Sequence, residues 1–341
     1  MDLDRYTNSL CFDDILLVPR KSKIKSRSEI DISVEIGVMS RPNSTLKLRM
    51  PFIIAPMEFI SSTEMLKEIS RFGGIGFVTR FQDKNERLLQ ASILANRAGF
   101  AINVEEAYDL EFINKVLSTG INVILLDTAV GHTELVVNAI KNIRSIVPDY
   151  VHIMTGNVSS YEAYKDLIDA GADSVRVGIG GGSACTTRTA TGFGVPVLGS
   201  IMDIYNEIKD DPINGLISDG GIKQNGDIVK AIAAGASAVM MGGMFAGHNE
   251  CNGNKLRGLA SLETQLERPE VFIPEGEVPH IEGVSGTVRS RGPVNDTVIG
   301  MKNNLQSGIA YSGEDNIRDF QKNAMFIKVS SSSLLESGSR V

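Results

Sequence analysis

Residues 122–146, NVILLDTAVGHTELVVNAIKNIRSI, contain one complete structural unit in a single stretch. NVILLD (122–127) is a short and almost wholly apolar run, which is typical of a strand buried on both faces. HTELVVNAIKNIRSI (132–146) then carries apolar residues at helical spacing. A buried strand followed directly by an amphipathic helix predicts a strand–helix unit of a parallel sheet that is covered by helices.

Seven further runs repeat this pattern and bring the predicted strands to eight. They are PFIIAPM (51–57), GIGFVTR (74–80), GFAINV (99–104), YVHIMTGN (150–157), DSVRVGIG (173–180), GLISDGG (215–221) and SAVMMGG (237–243). Helical patterns lie between them, and several end in glycine, a common helix stop. Eight units favour an α/β fold of the closed (β/α)8, or TIM barrel, type. An open doubly wound sheet is the alternative, but no glycine fingerprint GxGxxG follows an early strand.

The predicted organisation is a single catalytic barrel domain over residues 1–341. Residues 1–50 precede the first strand and are interpreted as a β-rich N-terminal cap. Residues 250–298 follow the eighth strand, and their glycines and prolines predict a mobile flap over the barrel mouth. The serine-rich end, about 329–341, is predicted to be a disordered tail.

Composition excludes several classes of function. The 341 residues carry a formal net charge of −7, so we expect neither nucleic acid nor a membrane surface as a partner. No secretory signal begins the chain, and no apolar run reaches the roughly 20 residues of a membrane span. Cys11, Cys185 and Cys251 are few and widely spaced, which indicates neither a disulfide framework nor a zinc site. We therefore expect a cytoplasmic enzyme that acts on a small molecule.

The densest functional signal is VGIGGGSACTTRTATGFG (177–194), after the sixth predicted strand. Active sites of barrel enzymes lie at the carboxyl ends of the strands. Glycines allow close backbone approach there, and Cys185 stands among potential hydrogen-bond donors that could stabilise its thiolate. A buried structural cysteine is the alternative, but the glycine-rich position favours a nucleophile.

Glycines also end the seventh and eighth predicted strands, in SDGG (218–221) and MGG (241–243). The loops after these two strands often bind phosphate in barrels, although the glycines could simply end the strands. Asp219 could accept hydrogen bonds from ribose hydroxyls. Asp127, at the end of the fourth strand, could orient a ligand or cap the next helix. The four histidines show no metal-ligand spacing.

Together these segments resemble the family of inosine monophosphate dehydrogenase and guanosine monophosphate reductase. The resemblance covers nearly the whole chain. It rests on CFDDILLVPRKS (11–22), APM (55–57), LDTAVGH (126–132), TGN (155–157), VGIGGGSACTTR (177–188), ISDGGIKQNGDIVKA (217–231) and MMGGMFAG (240–247), which occur in the family's order.

The resemblance implies a role for each site residue. Cys185 would attack C2 of the purine to form a thioimidate, and Thr187 and Glu282 would transfer protons. The remaining roles are substrate binding by Met57, Asn157, Ser183, Asp219, Gly221, Gly242 and Gly243; cofactor binding by Asp127 and Thr128; and monovalent-cation binding, with potassium expected, by carbonyls of Gly178, Gly180 and Cys185. The family also implies a homotetramer.

Two reactions fit this scaffold. The reductase converts GMP to IMP and ammonia with NADPH, and the dehydrogenase oxidises IMP to XMP with NAD. Three features favour the reductase: no regulatory CBS domain interrupts residues 80–104, the flap is short, and residues 262–281 lack the dehydrogenase's Arg-Tyr pair. The nearest candidate there is Arg268, followed by Pro269.

Several residues depart from the family pattern. Gly181 replaces a usual proline, Leu256 stands where dehydrogenases have a phosphate-contacting tyrosine, and Arg80 replaces a lysine found in many reductases. EGVSG (282–286) is closer to the dehydrogenases. A dehydrogenase without the regulatory domain, using NAD, is therefore the alternative. A non-catalytic purine-nucleotide-binding protein is a second alternative, against which Cys185 and its proton-transfer partners argue.

Overall fold

A computed structural model describes residues 9–258, 260–266 and 281–337. Its strands are β1 (Ile15–Leu17), β2 (Val34–Ile36), β3 (Leu46–Leu48), β4 (Phe52–Ile54), β5 (Ile75–Val78), β6 (Gly99–Ile102), β7 (Val123–Leu126), β8 (His152–Val158), β9 (Ser174–Val177), β10 (Leu216–Asp219), β11 (Ala238–Met241), β12 (Lys255–Arg257), β13 (Ser285–Thr287) and β14 (Phe326–Lys328). Its α-helices are α1 (Thr63–Phe72), α2 (Lys84–Leu94), α3 (Leu110–Ser118), α4 (Glu134–Ile146), α5 (Tyr161–Asp169), α6 (Thr187–Thr191), α7 (Val197–Ile208), α8 (Asn225–Ala233), α9 (Leu262–Leu266), α10 (Val294–Ser312), α11 (Ile317–Asn323) and α12 (Ser331–Glu336). Short 3-10 helices cover Phe12–Asp14, Arg27–Glu29, Pro42–Ser44, Ala95–Arg97 and Glu106–Tyr108.

Strands β4 to β11 form a closed barrel of eight parallel strands in chain order. The barrel closes where β11 pairs with β4, in a register that sets Met240 beside Ile53. The predicted (β/α)8 barrel is therefore confirmed, and the open sheet is excluded. The observed strands are shorter than predicted. In GLISDGG only β10 is extended, because Gly220 and Gly221 adopt φ values of +90° and +78° and turn the chain.

The barrel is the centre of the hydrophobic core. Phe77, Ile124 and Ile153 on its strands are fully buried, which explains why these runs are apolar on both faces. Helices cover the outside, and α1 shows how their ends are set. Ser62 accepts a hydrogen bond from the backbone N–H of Met65 at 3.0 Å, a typical N-cap. Because all eight strands are parallel, their carboxyl ends meet at one mouth.

Among the described residues, three small sheets lie outside the barrel. The predicted N-terminal cap contains β1 and the antiparallel β2–β3 hairpin, while residues 1–8 lie outside the described part. β1 pairs with β14 from the other end of the chain. In the predicted flap region, β12 pairs with β13, whereas Arg268, Pro269 and His280 fall outside the described residues.

The region predicted to be a disordered tail contains one short helix among its described residues. Helix α12 forms there, and its first turn is capped by Ser330 Oγ, which accepts a hydrogen bond from Ser333 N at 3.3 Å. Serine is unfavourable inside a helix but favourable at its N-cap. A serine-rich composition therefore does not reveal that one serine can cap a helix formed by the residues after it. Residues 338–341 lie outside the described part.

In the described ranges, no helix is both long enough and apolar enough to cross a membrane.

Candidate active site

Cys185 lies in the loop after β9, at the end of the barrel where the parallel strands finish. The loop turns at Gly180, whose φ is +73°, and leads into the short helix α6. Cys185 is half-buried, and its Sγ lies 3.2 Å from Oγ1 of Thr187. The thiol therefore stands at the catalytic face with a hydroxyl directly beside it.

The other two cysteines lie in less favourable surroundings for a nucleophile. Burial raises the pKa of the Cys251 thiol, and partial burial raises the pKa of the Cys11 thiol. Cys251 also donates to the carbonyl of Phe245 at 3.2 Å. A raised pKa disfavours the thiolate, which is the nucleophilic form. Cys185 is therefore the candidate nucleophile among the three.

Glu282 reaches the cysteine loop from the far side of the flap region. Its Oε2 accepts a hydrogen bond from Oγ1 of Thr187 at 2.6 Å. Two backbone hydrogen bonds fix this approach, from Thr186 N to Glu282 O at 2.8 Å and from Val284 N to Ala184 O at 3.0 Å. Thiol, hydroxyl and carboxylate thus form one short chain that could move a proton.

Asp127 follows β7 and is buried between two arginines. Arg80 Nε is 3.0 Å from its Oδ2, and Arg176 Nη2 is 2.7 Å from its Oδ1. Burial would raise the pKa of Asp127, but the two guanidinium groups hold that pKa below its ordinary value. The cap of α4 is Thr133, whose Oγ1 accepts from Val136 N at 3.2 Å. The capping alternative for Asp127 is therefore wrong.

We expect Asp127→Asn to destabilise the fold, because it leaves the buried Arg176 without its closest anion. The loss of free energy of unfolding should be about 3 kcal/mol at neutral pH. The pKa of Asp127 is lower in the folded protein than in the unfolded chain. Its contribution to stability is therefore fully present above the pKa of the unfolded chain and is lost as the pH falls through the pKa of the folded protein. The difference between the two proteins should therefore be constant from about pH 7 to about pH 5 and shrink only below about pH 4.

Urea unfolding at several pH values measures this difference. Asp166→Asn is the control, since Asp166 on α5 forms an exposed pair with His132, which precedes α4, and its loss should change little. A difference that already shrinks between about pH 7 and about pH 5 would show that the Asp127 carboxyl titrates there, against the assigned ion pairs.

Asp219 ends β10 and faces the same mouth. Asn157 Nδ2 donates to its Oδ2 at 2.9 Å and to the carbonyl of Gly178 at 2.9 Å, while Arg176 Nη1 is 3.5 Å away. Burial raises the pKa of Asp219 above its usual value, since Arg176 compensates only in part. The structure gives Oδ1 no hydrogen-bond donor among the described residues. This oxygen can therefore accept from a ligand hydroxyl.

The glycines after β11 lie against two other predicted binding residues. A Cβ on Gly243 would lie 2.8 Å from Ser183 Oγ, and one on Gly242 would lie 2.4 Å from Met57 Sδ. A larger side chain at either position would require Ser183 or Met57 to shift, so glycine keeps the backbone open to a close ligand. Gly221 lies in the neighbouring loop after β10. The structure thus collects these predicted substrate residues at one mouth.

The predicted cofactor residues are neighbours at the end of β7. Beside Asp127, the Thr128 hydroxyl donates to the carbonyl of Gly156 at 2.5 Å. A fixed hydroxyl and an ionised carboxylate suit the hydroxyl and amide groups of a nicotinamide riboside. The residues therefore fit the implied dinucleotide.

The loop predicted to bind a cation lies beside the positively charged side chain of Arg188. The carbonyl of Gly178 accepts from Asn157, and a Cβ on Gly180 would lie 2.7 Å from Cγ of Arg188. The Arg188 guanidinium donates to Val195 O at 2.8 Å. A cation beside these carbonyls would be repelled by that guanidinium. The residues thus fit an added cation poorly, and we assign it no step.

Arg176 is a residue of this candidate site that the sequence patterns did not single out. It lies on β9, is buried, and touches both Asp127 and Asp219. In the sequence, Arg176 could have been noticed as a basic residue in the middle of the otherwise largely apolar run DSVRVGIG, close to the end of a predicted strand. A buried arginine needs an anion, so that pattern could have linked it to the two strand-end aspartates.

Two of the described histidines have partners outside the contact series of Cys185, Thr187 and Glu282. His132 pairs with Asp166 at 2.8 Å, and the buried His152 bonds through both ring nitrogens to Ser44 and Ser174. In the described part of the chain, no group of three or more His, Cys, Asp and Glu could hold a metal ion.

Comparison with known proteins agrees with the geometry. A family model described as "IMP dehydrogenase / GMP reductase domain" matches residues 9–340. An inosine-5'-monophosphate dehydrogenase of Borreliella burgdorferi is 31% identical, covering 96% of this chain and 96% of that protein. A GMP reductase of Phytophthora infestans is 33% identical, covering 94% of this chain and 91% of that protein.

The fold also matches a solved structure. The crystal structure of a cysteine-to-alanine variant of GMP reductase from Trypanosoma brucei, in complex with guanosine 5'-monophosphate, superposes with a TM-score of 0.88. The match covers all of both chains, at 23% sequence identity. At that identity, the similarity establishes the fold.

Proposed function

This chain belongs to the IMP dehydrogenase / GMP reductase family, and from that premise we propose that it is a GMP reductase, converting GMP to IMP and ammonia with NADPH. The observation that carries the proposal is the contact series from Cys185 Sγ through Thr187 Oγ1 to Glu282 Oε2, at 3.2 and 2.6 Å. It joins a nucleophile to a hydroxyl and a carboxylate that can relay a proton at the barrel mouth. Such a series supports chemistry rather than binding alone.

Each group in the series has a defined task. Cys185 Sγ forms a bond to C2 of GMP, and the 2-amino group leaves as ammonia with a proton passed from Thr187 and Glu282. When bound, the nicotinamide cofactor supplies the hydrogen and electron pair that C2 receives. Sγ then departs, so that GMP, NADPH and two protons give IMP, ammonium and NADP⁺.

The substrate would lie across the ends of several strands. We assign the phosphate to the amides around Ser183, Gly221, Gly242 and Gly243, and the ribose hydroxyls to Asp219. Met57 and Asn157 would contact the base and ribose. Asp127 and Thr128 would hold the nicotinamide end of the cofactor. A homotetramer and a cytoplasmic location remain predictions, whereas potassium binding is not proposed, because the Arg188 guanidinium beside the predicted cation loop disfavours it.

The choice between reductase and dehydrogenase rests on the flap. Residues 262–281 hold one arginine, Arg268, and no tyrosine, so they lack the Arg-Tyr pair that would activate water in a dehydrogenase. Chain length does not separate the two activities, because the matched dehydrogenase is also covered over 96% of its length. The runner-up is an IMP dehydrogenase using NAD, favoured by EGVSG (282–286).

Two parallel assays test the proposal. With GMP and NADPH, we expect loss of NADPH absorbance and release of ammonia in equal amounts. With IMP and NAD, we expect no comparable formation of XMP. Robust oxidation of IMP without reduction of GMP would replace the reductase by the dehydrogenase. Tight nucleotide binding without either reaction would favour the non-catalytic alternative.

We further expect Asp219→Ala to raise the KM for GMP about tenfold or more with little change in kcat. The ribose contact is made equally in the ground state and the transition state, so its loss removes uniform binding. A hydrogen bond to a charged group contributes roughly 1.5–3 kcal/mol. Steady-state kinetics measure the effect, with Asp169→Ala on the exposed face of α5 as control. A collapse of kcat at constant KM would contradict the ribose assignment.

A further inference from the structure

A cavity of about 330 Å³ opens at the amino-terminal end of the barrel, opposite Cys185. Its walls are formed by β3 and by the starts of β5, β7 and β8. Three basic residues line it, Lys47, Arg49 and Arg97, and none of its described lining residues is Asp or Glu. The chemistry proposed for the barrel mouth does not use this face.

The absence of acidic residues distinguishes this cavity from its neighbours. The cavity beside β2 and α11 is lined by Glu35 and Asp211 as well as by basic residues. The groove between α4 and α5 is lined by three acidic residues and Lys141. The chain as a whole has a net charge of −7. A cavity whose lining contains basic residues but no acidic ones therefore has a locally positive potential. Such a potential favours a small anion.

The two guanidinium groups are held in place before any ligand arrives. Arg49 Nη2 donates to the carbonyl of Arg71 at 2.7 Å, at the end of α1. Gly73 makes this possible, since a Cβ on it would lie 2.6 Å from Arg49 Nε. Arg97 donates through Nε and Nη2 to the carbonyls of Leu94 and Ile93 at 3.2 and 2.9 Å. Fixed side chains lose little further entropy when they bind an anion.

Each anchored arginine keeps donors for a ligand. Within the described residues, Nη1 of Arg49 and Nη1 of Arg97 have no hydrogen-bond acceptor. Lys47 forms only an exposed pair with Glu35, which contributes little and can be exchanged. Guanidinium and ammonium groups together are the donors that proteins use for phosphate.

The remaining lining residues indicate the rest of the ligand. Tyr150 is 58% exposed and offers an aromatic ring for stacking. The exposed side chains of Asn96 and Asn122 also line the cavity and can both donate and accept hydrogen bonds. We propose that this cavity binds a phosphorylated small molecule with a planar ring, of mononucleotide size, independently of the site at Cys185.

Calorimetric titration of the full chain with AMP tests this proposal, and the arginine variants below distinguish binding in this cavity from binding at the barrel mouth. We expect AMP to bind, and inorganic pyrophosphate to bind more weakly because it lacks the ring. Arg49→Gln and Arg97→Gln should each weaken AMP about tenfold or more, as expected for a lost charged hydrogen bond. Added salt should weaken binding further.

Lys322→Gln is the matched control, because Lys322 lines the neighbouring mixed-charge cavity at the same end of the barrel. It should leave AMP affinity within about twofold, since distant surface charges are screened. If AMP gives no heat, or binds both arginine variants as tightly as the unchanged protein, the proposal is wrong. Loss of thermal stability in those variants with unchanged AMP binding would likewise overturn it, assigning the arginines to the helix ends alone.

Discussion

Cys185→Ala is expected to lower turnover of GMP by about a thousandfold or more while leaving GMP affinity nearly unchanged. Without Sγ no bond to C2 can form, yet the groups assigned to phosphate and ribose remain in place. Cys185→Ser should be almost as inactive, because a serine hydroxyl is far less ionised near neutral pH than a thiol. Single-turnover kinetics and calorimetric binding of GMP measure the two quantities.

Cys251→Ala provides the matched control, since that thiol donates only to a backbone carbonyl away from the loop after β9. It should keep nearly full turnover. Retention of more than about a tenth of the turnover in Cys185→Ala would rule out the covalent mechanism. Loss of GMP binding together with turnover would instead give Cys185 a role in building the binding site.

Glu282→Gln should slow the release of ammonia about a hundredfold, because the amide keeps the shape of the side chain but cannot take up and pass on a proton. Thr187→Val should have a similar effect, and Thr187→Ser should restore most of the rate. The double variant should be little slower than either single one, since both residues act in one contact series. Rapid-quench measurement of ammonia against time separates this step from later ones.

Glu263→Gln is the control, since Glu263 also lies in the flap region and accepts a hydrogen bond, from Ser285. Its rate should match that of the unchanged protein. A rate of ammonia release in Glu282→Gln within about twofold of normal would remove Glu282 from the proton path. Fully additive losses in the double variant would show that Thr187 and Glu282 act separately.

The barrel was predictable because its signal is local. Each strand is a short apolar run, and each is followed by a helical pattern, so no long-range information is needed to count eight units. The strand ends were less predictable. GLISDGG reads as one run, but the positive φ of Gly220 ends β10 after Asp219. Only the backbone conformation shows where the strand stops and the loop begins.

Residues of the site could be predicted from the sequence only where a single segment contains the recognisable pattern. Cys185 is marked by its own glycine-rich loop, whereas Glu282 lies 95 residues from its partner Thr187 and was placed through the family resemblance. The role of Asp127 stayed open because its partners lie far apart in the sequence, Arg80 after β5 and Arg176 on β9. The spacing of residues along the sequence does not show which residues come into contact when the barrel closes.

Two strand pairings join the beginning of this chain to its end, since β4 meets β11 and β1 meets β14. A chain emerging from the ribosome therefore presents β4 and the most recently made barrel strand as open edges until Ala238–Met241 has been synthesised. Such edges can pair with other chains, and closing so long a loop is slow. Synthesis of this protein thus has a prolonged interval in which aggregation competes with folding, and chaperones that cover strand edges would act in that interval.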